Sequence, residues 1–267
     1  MNLNYVTWKN CKAARITTTH CELIIGLSAG PRILSLTYNG GANLLYEDAT
    51  GFGVGEWRLY GGHRFTIAPE NDSSYYPDNE TCSVNIAGEL AIISAPIRTD
   101  ELRLSIKVSV LAGGSGFELV HILENYGSIA WSGALWAITC IPGSANITAS
   151  CSTENIVYWP GTESRNWPSS DGFMVVKPGD FRGKAGWHES QGWLSAGQDG
   201  GKLIIQHQEK TEPADCVDNG CNLEIFACKD WIELETLGAM VSVASGGFTQ
   251  HAQHWLVSDN RSIAQLI

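Results

Sequence analysis

Hydrophobic and polar residues alternate with a period of two along much of the chain. In Leu102-Arg103-Leu104-Ser105-Ile106-Lys107-Val108 the alternation is strict, which predicts a strand with one buried and one wet face. Similar runs occur at Arg15–Thr18, Cys21–Ile25, Arg32–Tyr38, Asn43–Glu47, Thr81–Ile86, Glu89–Pro96, Gly116–Asn125 and Ala130–Ile141. They resume at Gln191–Gly197, Lys202–Gln208, Cys221–Ala227, Trp231–Leu237 and His251–Val257. Ala29-Gly30-Pro31 and Asn39-Gly40-Gly41 separate runs with strong turn signals. Residues 142–200 read as loop-rich, broken by Trp159-Pro160-Gly161, Asn166-Trp167-Pro168 and Lys177-Pro178-Gly179. No stretch beyond about ten residues keeps a helical period. The pattern predicts an all-β fold of antiparallel sheets, a sandwich or barrel, with under about a tenth of residues in helix. No repeat or low-complexity linker divides residues 1–267, so one domain is expected.

Composition narrows the function classes. Hydrophobic residues at 43% and charged residues at 17% describe a globular chain, not a disordered one. A formal net charge of −11 argues against nonspecific binding to nucleic acid or anionic membranes. No apolar run reaches the roughly 20 residues of a membrane-spanning helix. The 10 tryptophans offer flat apolar faces suited to core packing or to stacking on sugar rings. Eight cysteines include no C-x-x-C pair, which disfavours a structural zinc site. The residues from Met1 to Trp8 form no basic-then-apolar leader pattern, so reduced thiols and a cytoplasmic location are the expectation.

Candidate chemistry concentrates in Trp57-Arg58-Leu59-Tyr60-Gly61-Gly62-His63-Arg64-Phe65-Thr66-Ile67-Ala68-Pro69-Glu70. The glycine pair allows a sharp bend or a close approach by a ligand. The plainer alternative is a bulged strand with a core histidine. Glu233 and Glu235 fall on one face of a strand, and two such carboxylates repel unless one is protonated or paired. A solvated outer face is the competing reading. His121 shares a face with Phe117, Leu119 and Leu123 and reads as a core histidine. His251 and His254 are three apart, on opposite strand faces, and cannot hold one metal together. Lys184 and His188 lie in the loop-rich region, free to reach a pocket. Glu70, Asp72, Asp78 and Glu80 offer hard oxygen ligands, with a solvated acidic loop as the alternative. No phosphate-binding loop or nucleophile elbow is present, and neither a cofactor nor a bound metal is predicted.

Four segments carry a family resemblance. Leu234-Glu235-Thr236, Val241 to Phe248 and Trp255-Leu256-Val257 look like the closing strands of aldose 1-epimerases, the galactose mutarotase superfamily. Gly30-Pro31-Arg32-Ile33-Leu34-Ser35-Leu36 resembles an early segment of that family. Leu59-Tyr60-Gly61-Gly62-His63-Arg64 resembles its Gly-Gly segment lining the sugar site, and His121 to Gly127 its recurring strand and Asn turn. The resemblance implies a β-supersandwich and a small carbohydrate or polyol ligand. It also implies a catalytic role for Glu235. The family's Pro-Gly-Glu turn is Ser245-Gly246-Gly247 here, and Trp136 stands near the place of its general-acid histidine. The resulting expectation is an epimerase-like isomerase with Glu235 as base and His63 as acid. Arg64 and Arg58 would orient ligand oxygens. Trp57, Tyr75, Tyr76 and Trp136 would stack, and Asp78, Lys184 and His188 would add contacts. A noncatalytic carbohydrate-binding or sensing module, or a lyase or cyclase in the same cleft, remain the alternatives.

Overall fold

The computed structural model describes residues 2–48 and 55–259. Strands make up 53% and helix 6%, matching the all-β expectation. Among the described residues the helical pieces are three short 3-10 turns and a four-residue turn at Val217–Gly220.

Two antiparallel sheets stack face to face. The 11-stranded sheet runs from Asn2–Trp8 through Cys11–Thr17, Cys21–Gly26, Arg32–Tyr38 and His63–Ala68 to Trp131–Pro142. It continues through Trp231–Leu237, Leu223–Ala227 and Gly183–Trp187 to Val157–Tyr158, while Val241–Val243 pairs beside Trp131–Pro142. The 10-stranded sheet runs Ser169–Ser170, Phe173–Val176, Asn146–Ser150, Trp193–Gln198, Gly201–His207, Phe248–Ser258, Gly116–Asn125, Leu102–Val110, Leu90–Ser94 and Ser83–Ala87. Apolar side chains from both sheets meet in one continuous cluster that includes Ile25, Ile67, Ile106, Leu119, Ile205, Leu234 and Trp255. Burying that much apolar surface is the main force holding the sheets together.

Most strands form where alternation predicts them, but three departures matter. Residues 142–200 are not mainly loop: Asn146–Ser150, Phe173–Val176 and Gly183–Trp187 are strands. Gly183-Lys184-Ala185-Gly186-Trp187 has two glycines and no β-branched residue, so its own propensity is weak and its pairing with Leu223–Ala227 defines it. Asn43–Glu47 is not a strand; only Glu47 bridges, to Gly61. Finally, His63–Ala68 is a fully buried strand that follows the glycine pair directly.

Those two glycines serve the backbone. Gly61 has φ +71°, and a Cβ there would lie 2.2 Å from the Tyr46 carbonyl oxygen. Gly62 has φ +66°, with a Cβ 2.1 Å from the Ile33 oxygen. Any other residue at these positions is both strained and overlapped. The close approach is therefore chain to chain, not chain to ligand.

Candidate functional site

The site lies on the outer face of the 11-stranded sheet, away from the second sheet. Antiparallel register sets it up. Ile138 pairs with Arg64 on one side and Glu235 on the other, and Glu235 in turn pairs with Glu224. Paired residues share a face, so Arg64, Glu235 and Glu224 all project outward, about 5 Å per strand apart. Trp136 and Glu233 are two residues from Ile138 and Glu235, hence on the same face.

Lys184 is the hub. Its Nζ lies 2.8 Å from Glu235 Oε2 and 2.6 Å from Glu224 Oε2. It also sits 4.7 Å from the Trp136 ring centroid and 5.0 Å from that of Trp159. Both carboxylates are fully buried, so without the ammonium their charges would be strongly unfavourable. Burial pulls the lysine pKa down, but Glu235 and Glu224 outweigh it and raise it, so Lys184 stays charged. Glu224 is pushed well above the usual carboxyl range by burial, against Lys184 and with Glu235. Glu235 also accepts a 2.7 Å hydrogen bond from the Trp136 indole, while its Oε1 has no hydrogen-bond partner.

Glu233 differs from its neighbour. It is part-buried, and Trp231 Nε1 donates to it at 3.0 Å. Burial first, then Glu235, push its pKa up to about 7, against Trp231, Arg64 and Lys184. Asp218 sits in the left-handed region, at φ 55°, in the turn beside the site. Burial raises its pKa, Lys184 opposes the rise, and Glu235 and Glu70 add to it. Val217, next to Asp218, packs on the outer-face cluster of Ala68, Trp136 and Leu237.

Arg64 forms the other half of the site. It is buried, its guanidinium carbon lies 5.3 Å from the Trp57 ring, and its Nε has no partner. Trp57 packs edge-on against Tyr75 at 5.1 Å. Trp57, Arg64, Tyr76 and Asp78 line one small pocket together with Arg32 and Arg98.

The structure thus gathers Glu235, Trp136 and Lys184 in direct contact, with Arg64 on the strand beside Trp136 and Trp57 against Arg64. It separates others. His63 is the main correction: it projects inward, is fully buried, and bonds Thr139 Oγ1 at 2.9 Å and His121 Nε2 at 2.7 Å. Burial, then His251 and the nearby arginines, push its pKa down to about 3, so it holds no proton to donate near neutral pH. It cannot serve as the acid for a group on the opposite face of the sheet. Asp78 is engaged by Arg32 through Nε at 2.5 Å and Nη2 at 3.2 Å. Tyr76 lies against Arg98, whose guanidinium carbon is 4.3 Å from its ring. Arg58 gives its carbonyl to Arg32 and leaves its own Nε unpartnered. His188 is tied to Thr211 at 3.0 Å. The eight cysteines are all free.

Sequence reading missed Glu224, Trp159 and Asp218. Glu224 left a signal: a single acid inside the apolar run Leu223-Glu224-Ile225-Phe226 is costly unless something neutralises it. Asp218 and Trp159 left none, because their neighbourhood depends on folding.

No protein-family model matches the chain, and no curated protein does. Solved structures do share its fold. A TPR-domain containing protein from Parabacteroides distasonis superposes with a TM-score of 0.72 at 13% identity over 96% of this chain; the chain spans 48% of that protein. A putative aldose 1-epimerase from Escherichia coli gives 0.63 at 11% identity, covering 96% of this chain and 99% of that one. A galactose mutarotase-like protein from Lactobacillus casei gives 0.63 at 10% identity, covering 92% and 100%. The chain therefore has the mutarotase-like sandwich fold that its sequence resemblance implied.

Proposed function

We propose that this protein acts on a sugar or sugar-like polyol as an epimerase-like isomerase, with the outer face of the 11-stranded sheet as its site. The observation that carries the reading is Glu233, a part-buried carboxyl with a pKa of about 7 beside Arg64, Lys184 and aromatic faces. Opening a pyranose requires one group to protonate the ring oxygen while another takes the anomeric hydroxyl proton. A carboxyl that titrates near neutrality can give and retake a proton under working conditions. Glu233 takes the acid role first assigned to His63. Glu235, with an unpartnered Oε1 on the same face, is the complementary base. Arg64 and Lys184 stabilise the oxygen that becomes negative. Trp57 and Trp159 supply stacking faces.

One observation favours a binding module instead. Glu235 is fully enclosed and already holds Lys184 and Trp136, so it lacks access to a ligand in this conformation. Exchange NMR between α- and β-anomers of a panel of aldoses and uronic acids separates the two. The enzyme reading expects faster exchange for at least one sugar and a loss of about a hundredfold in Glu233→Gln. Ligand binding with no acceleration across the panel selects the binding module. Full activity in Glu233→Gln removes Glu233 from the mechanism.

A further inference from the structure

On the inner side of the sandwich, three side chains outside the site above converge. His207 ends the strand Gly201–His207, Glu209 follows two residues later, and His251 belongs to the neighbouring strand Phe248–Ser258. Their ligand atoms all lie within 4.8 Å of one another.

The tautomers fit a cation. His207 Nε2 lies 3.0 Å from the Leu237 carbonyl, which can only accept, so this nitrogen carries the hydrogen. The lone pair of the neutral ring is then on Nδ1. That atom is buried and no hydrogen bond of good geometry reaches it. A buried unpaired acceptor is costly, and a metal ion satisfies it. His251 Nε2 lies 2.6 Å from Thr236 Oγ1, which also accepts from Gln253 Nε2 at 2.7 Å. A hydroxyl oxygen has two lone pairs, so it can accept from both. The Nδ1 of His251 then faces Glu209 Oε1 at 2.8 Å. A divalent cation that binds this nitrogen and this oxygen takes the place of the contact between them.

Gly238 adds an independent observation. A Cβ there would come within 3.1 Å of Glu209 Oε2 and 3.4 Å of His251 Nδ1. Its φ lies outside the left-handed region, so the backbone does not demand glycine. The missing side chain leaves room beside the cluster. Access exists too: Gln191, Gly192, Trp193, His207, Glu209 and Lys210 line a pocket open to the surface.

We propose that His207, Glu209 and His251 form a divalent-cation site of the zinc type, with the remaining coordination position open to the pocket. Two imidazoles and one carboxylate are a donor set that zinc and its first-row neighbours favour over calcium or magnesium. Leu237 and Thr236 orient the rings from behind, as outer partners of metal-bound histidines do. The site stands independently of the sugar reading. It shares only the strand Trp231–Leu237, whose Glu235 faces the other way.

The test uses tag-free protein stripped with a chelator. Zinc is titrated by calorimetry, and cobalt by visible absorption. One ion per chain is expected, with the ligand-field bands of a four- or five-coordinate nitrogen and oxygen site. The strong near-ultraviolet sulfur-to-cobalt band should be absent. Glu209→Gln and His207→Gln should each lower affinity by at least about tenfold. Glu209 is partly exposed, so its variant carries the test if the histidine variant fails to fold. Absence of stoichiometric binding, a thiolate band, or undiminished affinity in Glu209→Gln overturns the proposal.

Discussion

The strands His63–Ala68, Trp131–Pro142 and Trp231–Leu237 carry different chemistry on their two faces. Outward, Arg64, Trp136, Glu233 and Glu235 belong to a network of charged, titratable and aromatic groups with Lys184 at its centre. Inward, His63, Thr139 and Thr236 belong to a network of imidazole rings and hydroxyls that runs through His121 to His251. Neighbouring residues in one strand, Glu235 and Thr236, thus belong to separate systems. The difference follows from dielectric environment. Around His63 and His121 no carboxylate compensates an imidazolium, and burial pushes both pKa values down. Outside, a buried lysine contacts two buried acids, and burial with Glu235 pushes one of them, Glu224, toward its neutral form. Residue type alone does not decide which group can move a proton; the face does.

The largest expected effect tests whether Lys184 is the outer hub. Lys184→Met keeps the stem and removes the charge, leaving Glu224 and Glu235 buried without a cation. The expected loss is about 3–5 kcal/mol in urea unfolding. Adding Glu224→Gln and Glu235→Gln to the same chain should restore much of it, because buried neutral amides need no cation. A loss below about 1 kcal/mol in the single variant would mean that the carboxylates are neutralised some other way.

The inner network predicts a smaller loss of a different kind. His63→Ala opens a cavity beside Trp255, whose ring centroid is 4.9 Å away, and removes the partners of Thr139 and His121. About 2–4 kcal/mol of stability should disappear. Any sugar turnover should keep its kcat at temperatures where the variant stays folded. A large fall in kcat with normal stability would restore His63 as a chemical group and break the two-face distinction.

Much of this was legible in the chain. Period-two alternation located most strands, and the pairing of Glu233 with Glu235 on one face followed from the same period. Lys184, Arg64 and Trp136 stand out in the sequence as candidates, and they share the outer face. The face of His63 was not legible. Phe65 and Ile67 alternate with Arg64 and Thr66, but a strand buried on both sides gives no sign of which side is core. The partner of Glu224 was hidden, because Lys184 lies on a strand that its own sequence barely encodes. The resemblance pointed to Glu235, whereas the part-exposed carboxyl is Glu233, and that difference arises from how Lys184 and Trp136 close over the former.

The smallest expected effect concerns Glu233 and pH. Its folded pKa of about 7 lies above the 4.5 of an ordinary glutamate, which the unfolded chain has. Glu235 repels its charged form, while Trp231, Arg64 and Lys184 favour it; Tyr75 and Cys140 also sense it. A raised carboxyl pKa means that the unfolded chain releases this proton first as pH rises. The stabilising contribution is full below about pH 4.5, falls through the interval up to about 7, and is gone above it. Because Glu233 is part-exposed, solvent screening reduces the effect to about 1 kcal/mol across the interval. Glu233→Gln cannot lose a proton, so the stability difference between variant and parent should change by that amount between pH 4.5 and 7.5. Glu224 titrates in the same direction in both proteins, so the difference isolates Glu233. A flat difference, measured by urea unfolding at half-unit pH steps, would show that Glu233 titrates normally and would remove the property on which its proposed acid role rests.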